Sequence, residues 1–148
     1  MRVFAPSATC LLLATLMPVC GDAAVPPALS AQDAWVRATP GVDVAAAYLT
    51  LHNGGTQPVV VSGVSSPAAA AAMIHESTLV NGQSTMRAHE PLRIGAGETV
   101  RFTPGGLHIM LHGLKRPLAA GDEVPLVLRL EGGGLLTVTA RVRALADS

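Results

Sequence analysis

The chain has 148 residues and a formal net charge of zero, with 49% hydrophobic and only 14% charged residues. This length suits one ordinary domain, and the neutral charge excludes a nucleic-acid binder, which needs a basic face to displace counterions from phosphates. Aromatic residues make up only 3% of the chain. The core must therefore be built from Leu, Val and Ala. We expect a monomer with no nucleic-acid partner.

Residues 1–23 have the organisation of a secretory signal peptide. Arg2 supplies the charged start, residues 3–19 supply an apolar centre, and small residues at Gly21 and Ala23 supply the exit. The uninterrupted part of the apolar stretch is about half of the roughly 20 residues that a membrane-spanning helix needs. We therefore predict an exported protein of the periplasm rather than a transmembrane anchor.

Both cysteines, Cys10 and Cys20, lie in this leader. The mature domain therefore has neither a disulfide nor a thiolate ligand. Cys20 ends the apolar run and is a candidate lipoprotein site, although residues 17–19 (Met-Pro-Val) fit the small-residue pattern of such processing poorly. We expect cleavage near Ala23 or Ala24 to give a soluble protein, and a membrane-anchored lipoprotein is the alternative.

The rest of the chain is predicted as a linker over residues 24–31 and one β-sandwich domain over residues 32–148. Apolar residues alternate with polar ones, as in half-buried strands, and Gly- or Pro-rich turns separate these segments. The clearest alternating sets are Leu126, Leu128 and Leu130, followed by Leu136, Val138, Ala140 and Val142. The alanine run 68–72 is interpreted as a helical turn. The pattern predicts an all-β fold, a β-sandwich or Greek-key barrel.

Side chains that bind soft metals crowd into a short part of the mature chain, namely Met73, His75, Met86, His89, His108, Met110 and His112. Within residues 107–112, His108 and Met110 share one face of a strand, about 7 Å apart, because successive side chains alternate. The Asn81-Gly82 pair is a hairpin signal, and a hairpin there would bring His75 close to Met86.

These residue types select the metal. Thioethers are soft ligands that favour Cu(I), whereas imidazole suits several transition metals. Two His and two Met carry no charge and no oxygen donor, which excludes Mg²⁺ and Ca²⁺, and zinc sites rely on His, Cys and carboxylate. We interpret Met73 as core packing and His52 and His89 as surface or scaffold residues. For His112 the sequence leaves three roles open: a metal ligand, a residue that hydrogen-bonds to a ligand, or neither.

The spacing of His75, ten residues, Met86, twenty-one residues, His108, one residue and Met110 resembles the pattern of the periplasmic copper chaperone family called PCu(A)C. The flanking segments are also similar to that family. They are Ala34–Arg37, Ala47–Asn53, Ile74–Glu76, Pro104–Leu111 and Gly121–Leu126. The resemblance spans about residues 32 to 143.

The resemblance implies a cupredoxin-like β-sandwich that binds one Cu(I) per chain through His75, Met86, His108 and Met110. It also implies delivery toward cytochrome c oxidase assembly, with an oxidase subunit or a Sco-type thiol protein as the copper acceptor. Two departures stand out. Glu76 follows the first His where some relatives carry a Met, and the His- and Met-rich extension of some relatives is not seen after residue 143, so we expect one site.

Three other functions compete with a chaperone. An electron-transfer cupredoxin needs a Cys thiolate beside two His, which the mature chain lacks. An enzyme is not expected, because no HExxH, phosphate-loop or G-x-S-x-G motif is present. A periplasmic copper buffer, storage or tolerance protein without a dedicated acceptor would use the same ligands, and this alternative stays open.

Overall fold

The computed structural model describes residues 28–144. The predicted signal peptide, both cysteines and the first half of the predicted linker, residues 24–27, lie outside the described residues. Within this range every regular element is a strand, which confirms the all-β prediction. The strands are β1 (Leu29–Ala38), β2 (Val44–Asn53), β3 (Val59–Ser65), β4 (Ala69–Val80), β5 (Gln83–Ala88), β6 (Leu92–Ile94), β7 (Thr99–Arg101), β8 (Leu107–Leu114), β9 (Glu123–Leu130) and β10 (Leu135–Arg143).

The strands are hydrogen-bonded in the order β5-β4-β8-β2-β1-β10-β9-β3-β6, and β7 pairs with β2. β1 runs parallel to β10, while the other pairs are antiparallel. The inward side chains of β4, β8 and β9 meet in one core and include Ile74, Ile109, Leu111, Val124, Leu126 and Leu128, all fully buried. Among the described residues, no helix has the length and apolarity needed to cross a bilayer.

The first strand corrects the predicted linker boundary. β1 begins at Leu29, so residues 29–31 belong to the sheet rather than to a linker. Leu29 pairs with Asn53 of β2 and is only 1% exposed. The hydrophobic contact of Leu29 with the core therefore extends the domain toward the N-terminus.

The alanine run 68–72 is not a helical turn, and that prediction was wrong. β4 begins at Ala69 and pairs with β8 from Ala69 to Glu76. The helix preference of alanine amounts to less than about 1 kcal/mol per residue, and strand pairing with packing outweighs it here. Small side chains also fit this strand, because the Cα hydrogens of Gly113 lie close against Ala70.

β4 and β5 form a hairpin at the edge of the sheet. The turn residues Asn81 and Gly82 have positive φ angles of 51° and 78°, as a type I′ turn requires. Every residue of β5 is exposed, and β5 is the first strand in the sheet order. The predicted hairpin is therefore confirmed, and it places residue 86 beside the strand that carries residue 75.

Candidate metal site

β8 carries the central part of the site. His108, Met110 and His112 point to the outer face, while Ile109 and Leu111 are fully buried on the inner face. β8 pairs with β4 on one side and with β2 on the other. A strand that is hydrogen-bonded on both sides and anchored by buried side chains holds its outward residues in a fixed position.

β4 brings a second imidazole against the first. His75 lies directly opposite His108 in the antiparallel register, and the two ring centroids are 5.9 Å apart. Directly opposite residues share a face of the sheet, so Met110 lies on this face two residues further along β8. One imidazole from each strand and one thioether therefore lie next to each other.

Met86 reaches the same face from the edge strand. It pairs with Ser77, which is two residues from His75 on β4, so Met86 is a diagonal neighbour of His75. Met86 is 51% exposed, whereas His108 is only 5% exposed. The structure thus brings all four predicted residues to one face, with the sulfur of Met86 on the solvent side. Their role as ligands stays a prediction.

A backbone contact orients the His108 ring. Its Nδ1 lies 3.0 Å from the carbonyl oxygen of Gly106, so Nδ1–H donates a hydrogen bond to that oxygen. The neutral ring then carries its lone pair on Nε2, which is the nitrogen left to bind a metal. The same backbone contact therefore selects the tautomer and limits rotation of the ring.

The surroundings of His75 favour its neutral ring, and one ring nitrogen has no hydrogen-bond partner. Its Nδ1 is buried and has no hydrogen-bond partner. Burial lowers the pKa of His75 below its ordinary value of 6.5, and the positive charges of His108 and His112 lower this pKa further, while Glu90 opposes them. A buried polar atom without a partner is costly in a folded protein, and neutral imidazole is the form that binds metals. These properties fit a metal ligand.

The donor set also restricts which metal can bind. Within residues 28–144, no three His, Cys, Asp or Glu side chains converge to hold an ion. An ion held on this face by three or four side chains would therefore use thioether sulfur beside imidazole. That combination is typical of Cu(I) and unsuited to Zn²⁺ or Ca²⁺.

The family of the chain follows from its sequence over the same domain. The family model described as "Putative lipoprotein LpqE-like" matches residues 29–142. The chain belongs to the LpqE-like family. A curated relative, "Putative lipoprotein Lxx21020" from Leifsonia xyli subsp. xyli, is 40% identical to this LpqE-like chain over 111 residues. The match covers 74% of the chain and 66% of the relative, just under two thirds of that protein's length.

Solved structures similar to this LpqE-like domain include PCuAC domains. The copper-bound PCuAC domain from PmoF2 has a TM-score of 0.65 at 22% identity, covering 79% of this chain and 93% of that domain, and this likeness shows the fold alone. Cu(I)-bound DR1885 from Deinococcus radiodurans has a TM-score of 0.62 at 35% identity, with 84% and 83% covered. Its apo form has a TM-score of 0.62 at 31% identity, with 100% and 97% covered. The predicted cupredoxin-like fold is confirmed.

Two further residues of the LpqE-like chain lie on the same face. Met73 is directly opposite Met110 and is 39% exposed, so its interpretation as core packing was wrong. The ring centroid of His112 is 6.4 Å from that of His75. Counting back two residues from His75 would have placed Met73 outward, because strand side chains alternate.

The other two histidines have partners elsewhere. Nδ1 of His52 lies 2.9 Å from the hydroxyl of Thr99. Nδ1 of His89 lies 3.1 Å from a carboxylate oxygen of Glu76, whose side chain points away from the face of its strand neighbour His75. These contacts fit the surface or scaffold roles that the sequence indicated for both residues.

Proposed function

We propose that this LpqE-like protein is an exported chaperone that binds one Cu(I) per chain and delivers it toward cytochrome c oxidase assembly. The ligands are His75, Met86, His108 and Met110. The observation that carries the proposal is the direct pairing of His75 with His108 on adjacent strands, with thioethers on the same face. Copper is the cargo here, so the site must both bind the ion and release it.

Binding follows from the properties of the donors. The four side chains carry no charge when His75 and His108 are neutral, and thioether sulfur favours the reduced ion. The buried Nδ1 of His75 and the oriented ring of His108 are in place before copper arrives. Little reorganisation is then needed when the ion binds.

Release would proceed by ligand exchange. A Cys, His or Met of the acceptor joins the copper before a donor ligand leaves, so the ion is never free. Met86 is the donor most accessible to an incoming ligand, because it lies on the exposed edge strand. An oxidase subunit or a Sco-type thiol protein would supply the acceptor ligand, and a thiolate is a strong ligand for Cu(I).

Export is part of the proposal. The matching family and the Leifsonia relative are both described as lipoproteins, which supports a leader that is removed at Cys20 and a lipid anchor at that residue. Mass analysis of the membrane-extracted protein tests this form, because a diacylated Cys20 adds the mass of its acyl chains. A mature chain that begins near Ala23 would instead establish the soluble periplasmic form.

A Cu(I) titration of the purified protein against a chromophoric competitor tests the site. We expect one tight equivalent in the parent and an affinity about a hundredfold lower, roughly 2.8 kcal/mol, in His108→Ala and in Met110→Leu. Leu has nearly the volume of Met, so the second variant removes the sulfur but keeps the packing. His52→Ala is the matched control and should leave the affinity unchanged. Binding that is indifferent to both site variants would contradict the proposal.

Delivery must be separated from storage, since both use the same ligands. A strain that lacks the protein should lose cytochrome oxidase activity at low copper, and added copper should restore the activity. Complementation with His108→Ala should fail at low copper, whereas complementation with His52→Ala should succeed. Normal oxidase activity in the deletion strain at low copper would favour the copper buffer.

A further inference from the structure

His112 extends the outer face of β8 beyond the four proposed ligands. It lies two residues after Met110 and is half-buried. Its register partners are Ala71 on β4 and Val44 on β2. Ala71 has only a methyl side chain, so no long side chain stands directly opposite His112 on β4.

The His75 ring lies between two other imidazoles. Its centroid is 5.9 Å from that of His108 and 6.4 Å from that of His112. Two imidazoles that bind one ion through bonds of about 2.0 Å have centroids roughly 5 to 6.5 Å apart. Both pairs therefore have a separation that a single ion could bridge.

The three rings form two pairs rather than a triad. His108 and His112 are four residues apart on one strand, which places their Cα atoms about 13 Å apart. This agrees with the finding that no three such side chains of the described residues converge on one point. The two pairs share His75, and a neutral imidazole offers one lone pair to one ion at a time.

Thioether donors lie between His108 and His112 along the outer face. Met73 and Met110 are directly opposite each other, in the row between the His75–His108 pair and the Ala71–His112 pair. Met73 is 39% exposed, so its side chain is not buried in the core. A soft ion that moves from His108 toward His112 would therefore stay within reach of sulfur ligands.

We propose that His75, Met73 and His112 form a second Cu(I) position that overlaps the first through His75. This inference rests on the proposed function in that Cu(I) is the cargo. Only one position is filled at a time, so the protein still binds one equivalent. Copper moves between the positions when His112 replaces His108 while His75 stays bound, and no electron or proton is transferred.

Competitive Cu(I) titration of a double-variant set tests the second position. We expect His112→Ala alone to change the affinity less than threefold, because the first position is intact. His108→Ala should keep weak binding of one equivalent at the second position. Adding His112→Ala to His108→Ala should weaken that residual binding by a further tenfold or more, while His108→Ala combined with His52→Ala should match His108→Ala alone.

Two outcomes would overturn the second position. In one, the double variant binds copper as tightly as His108→Ala. In the other, His112→Ala alone weakens binding as much as His108→Ala, which would make His112 a ligand of the first position. Failure of the proposed first position shows separately, as an unchanged affinity in His108→Ala. The second position then stands only if adding His112→Ala weakens the binding.

Folding is controlled in every variant of this set. His108 and His112 lie on the outer face, opposite the buried Ile109 and Leu111, and His52 is exposed on β2, so each variant should fold. Equal far-ultraviolet circular dichroism and equal midpoints of thermal unfolding establish this. The ring resonances of His112 give a second readout, because Cu(I) should shift them strongly in His108→Ala and weakly in the parent.

Discussion

The two strands that supply the proposed thioethers differ in how firmly they are held. Met110 lies on β8, which pairs with a strand on each side and is anchored by buried Ile109 and Leu111. Met86 lies on β5, which pairs only with β4 and has every residue exposed. One half of the candidate site is therefore built into the sheet, and the other half is presented to solvent.

This difference matches what a carrier of copper needs. Local opening requires little free energy at an edge strand with few buried contacts, and far more in a central strand. The β4–β5 hairpin is held near its tip by its own contacts, such as the 3.0 Å bond between the hydroxyls of Thr78 and Thr85. Under the proposed function, Met86 would therefore leave the copper while His108 and Met110 hold the ion until an acceptor ligand arrives.

The largest effect we expect is a difference between β8 and β5 in the free energy of unfolding that is lost when a side chain is truncated. Ile109→Ala should lower the free energy of unfolding by about 2–5 kcal/mol, because it leaves a cavity beneath β8. Met86→Ala should change it by less than about 0.5 kcal/mol, because the side chain is exposed on the edge strand. Urea denaturation of the apo protein measures both values, and similar losses in the two variants would mean that the strands are equally held.

The next effect concerns copper itself. Met86→Leu should weaken Cu(I) binding by about tenfold, or roughly 1.4 kcal/mol, compared with about a hundredfold for Met110→Leu. The exposed sulfur can be replaced in part by water or by another donor, whereas the sulfur on β8 cannot. Competitive Cu(I) titration of the two variants measures this ratio. A larger loss in Met86→Leu would reverse the assignment of the firm and the exposed halves.

The elements that could be predicted from the sequence are those with strong local patterns. Alternation placed His108 and Met110 on one face and Ile109 on the other, because the strand period of two admits only that arrangement. The Asn81-Gly82 pair predicted the hairpin, since few residues tolerate the positive φ angles of its turn. Both patterns depend on neighbours in the chain, so no tertiary information was needed.

The features that could not be predicted depend on contacts between distant strands. The alanine run 68–72 becomes part of β4 only because β8 pairs with it. The approach of His112 to His75 depends on the register of those same strands, and on rings that lean toward each other across two register steps. The orphaned Nδ1 of His75 likewise results from burial by its neighbours, which sequence alone does not give.

The smallest effect we expect comes from the pH dependence of the apo protein. The pKa of His75 is lowered in the folded state, first by burial and then by the charges of His108 and His112, with Glu90 acting in the opposite direction. Below its ordinary value of 6.5, the unfolded chain therefore binds more protons at this residue than the folded chain does. Stability consequently falls as the pH drops from 6.5 toward the lowered pKa, and the stability that His75 adds relative to acidic pH is fully present only above 6.5.

Thermal unfolding of the metal-free protein between pH 8 and about pH 5, in the parent and in His75→Ala, measures this contribution. The parent should lose more of its midpoint temperature than the variant over the acidic part of the range, because only in the parent does His75 take up a proton when the chain unfolds. His52→Ala should follow the parent, since its ring bonds to Thr99 away from this face. Identical pH profiles in the parent and in His75→Ala would mean that His75 is solvated like an ordinary surface histidine, and the neutral ring assumed for copper binding would lose its basis.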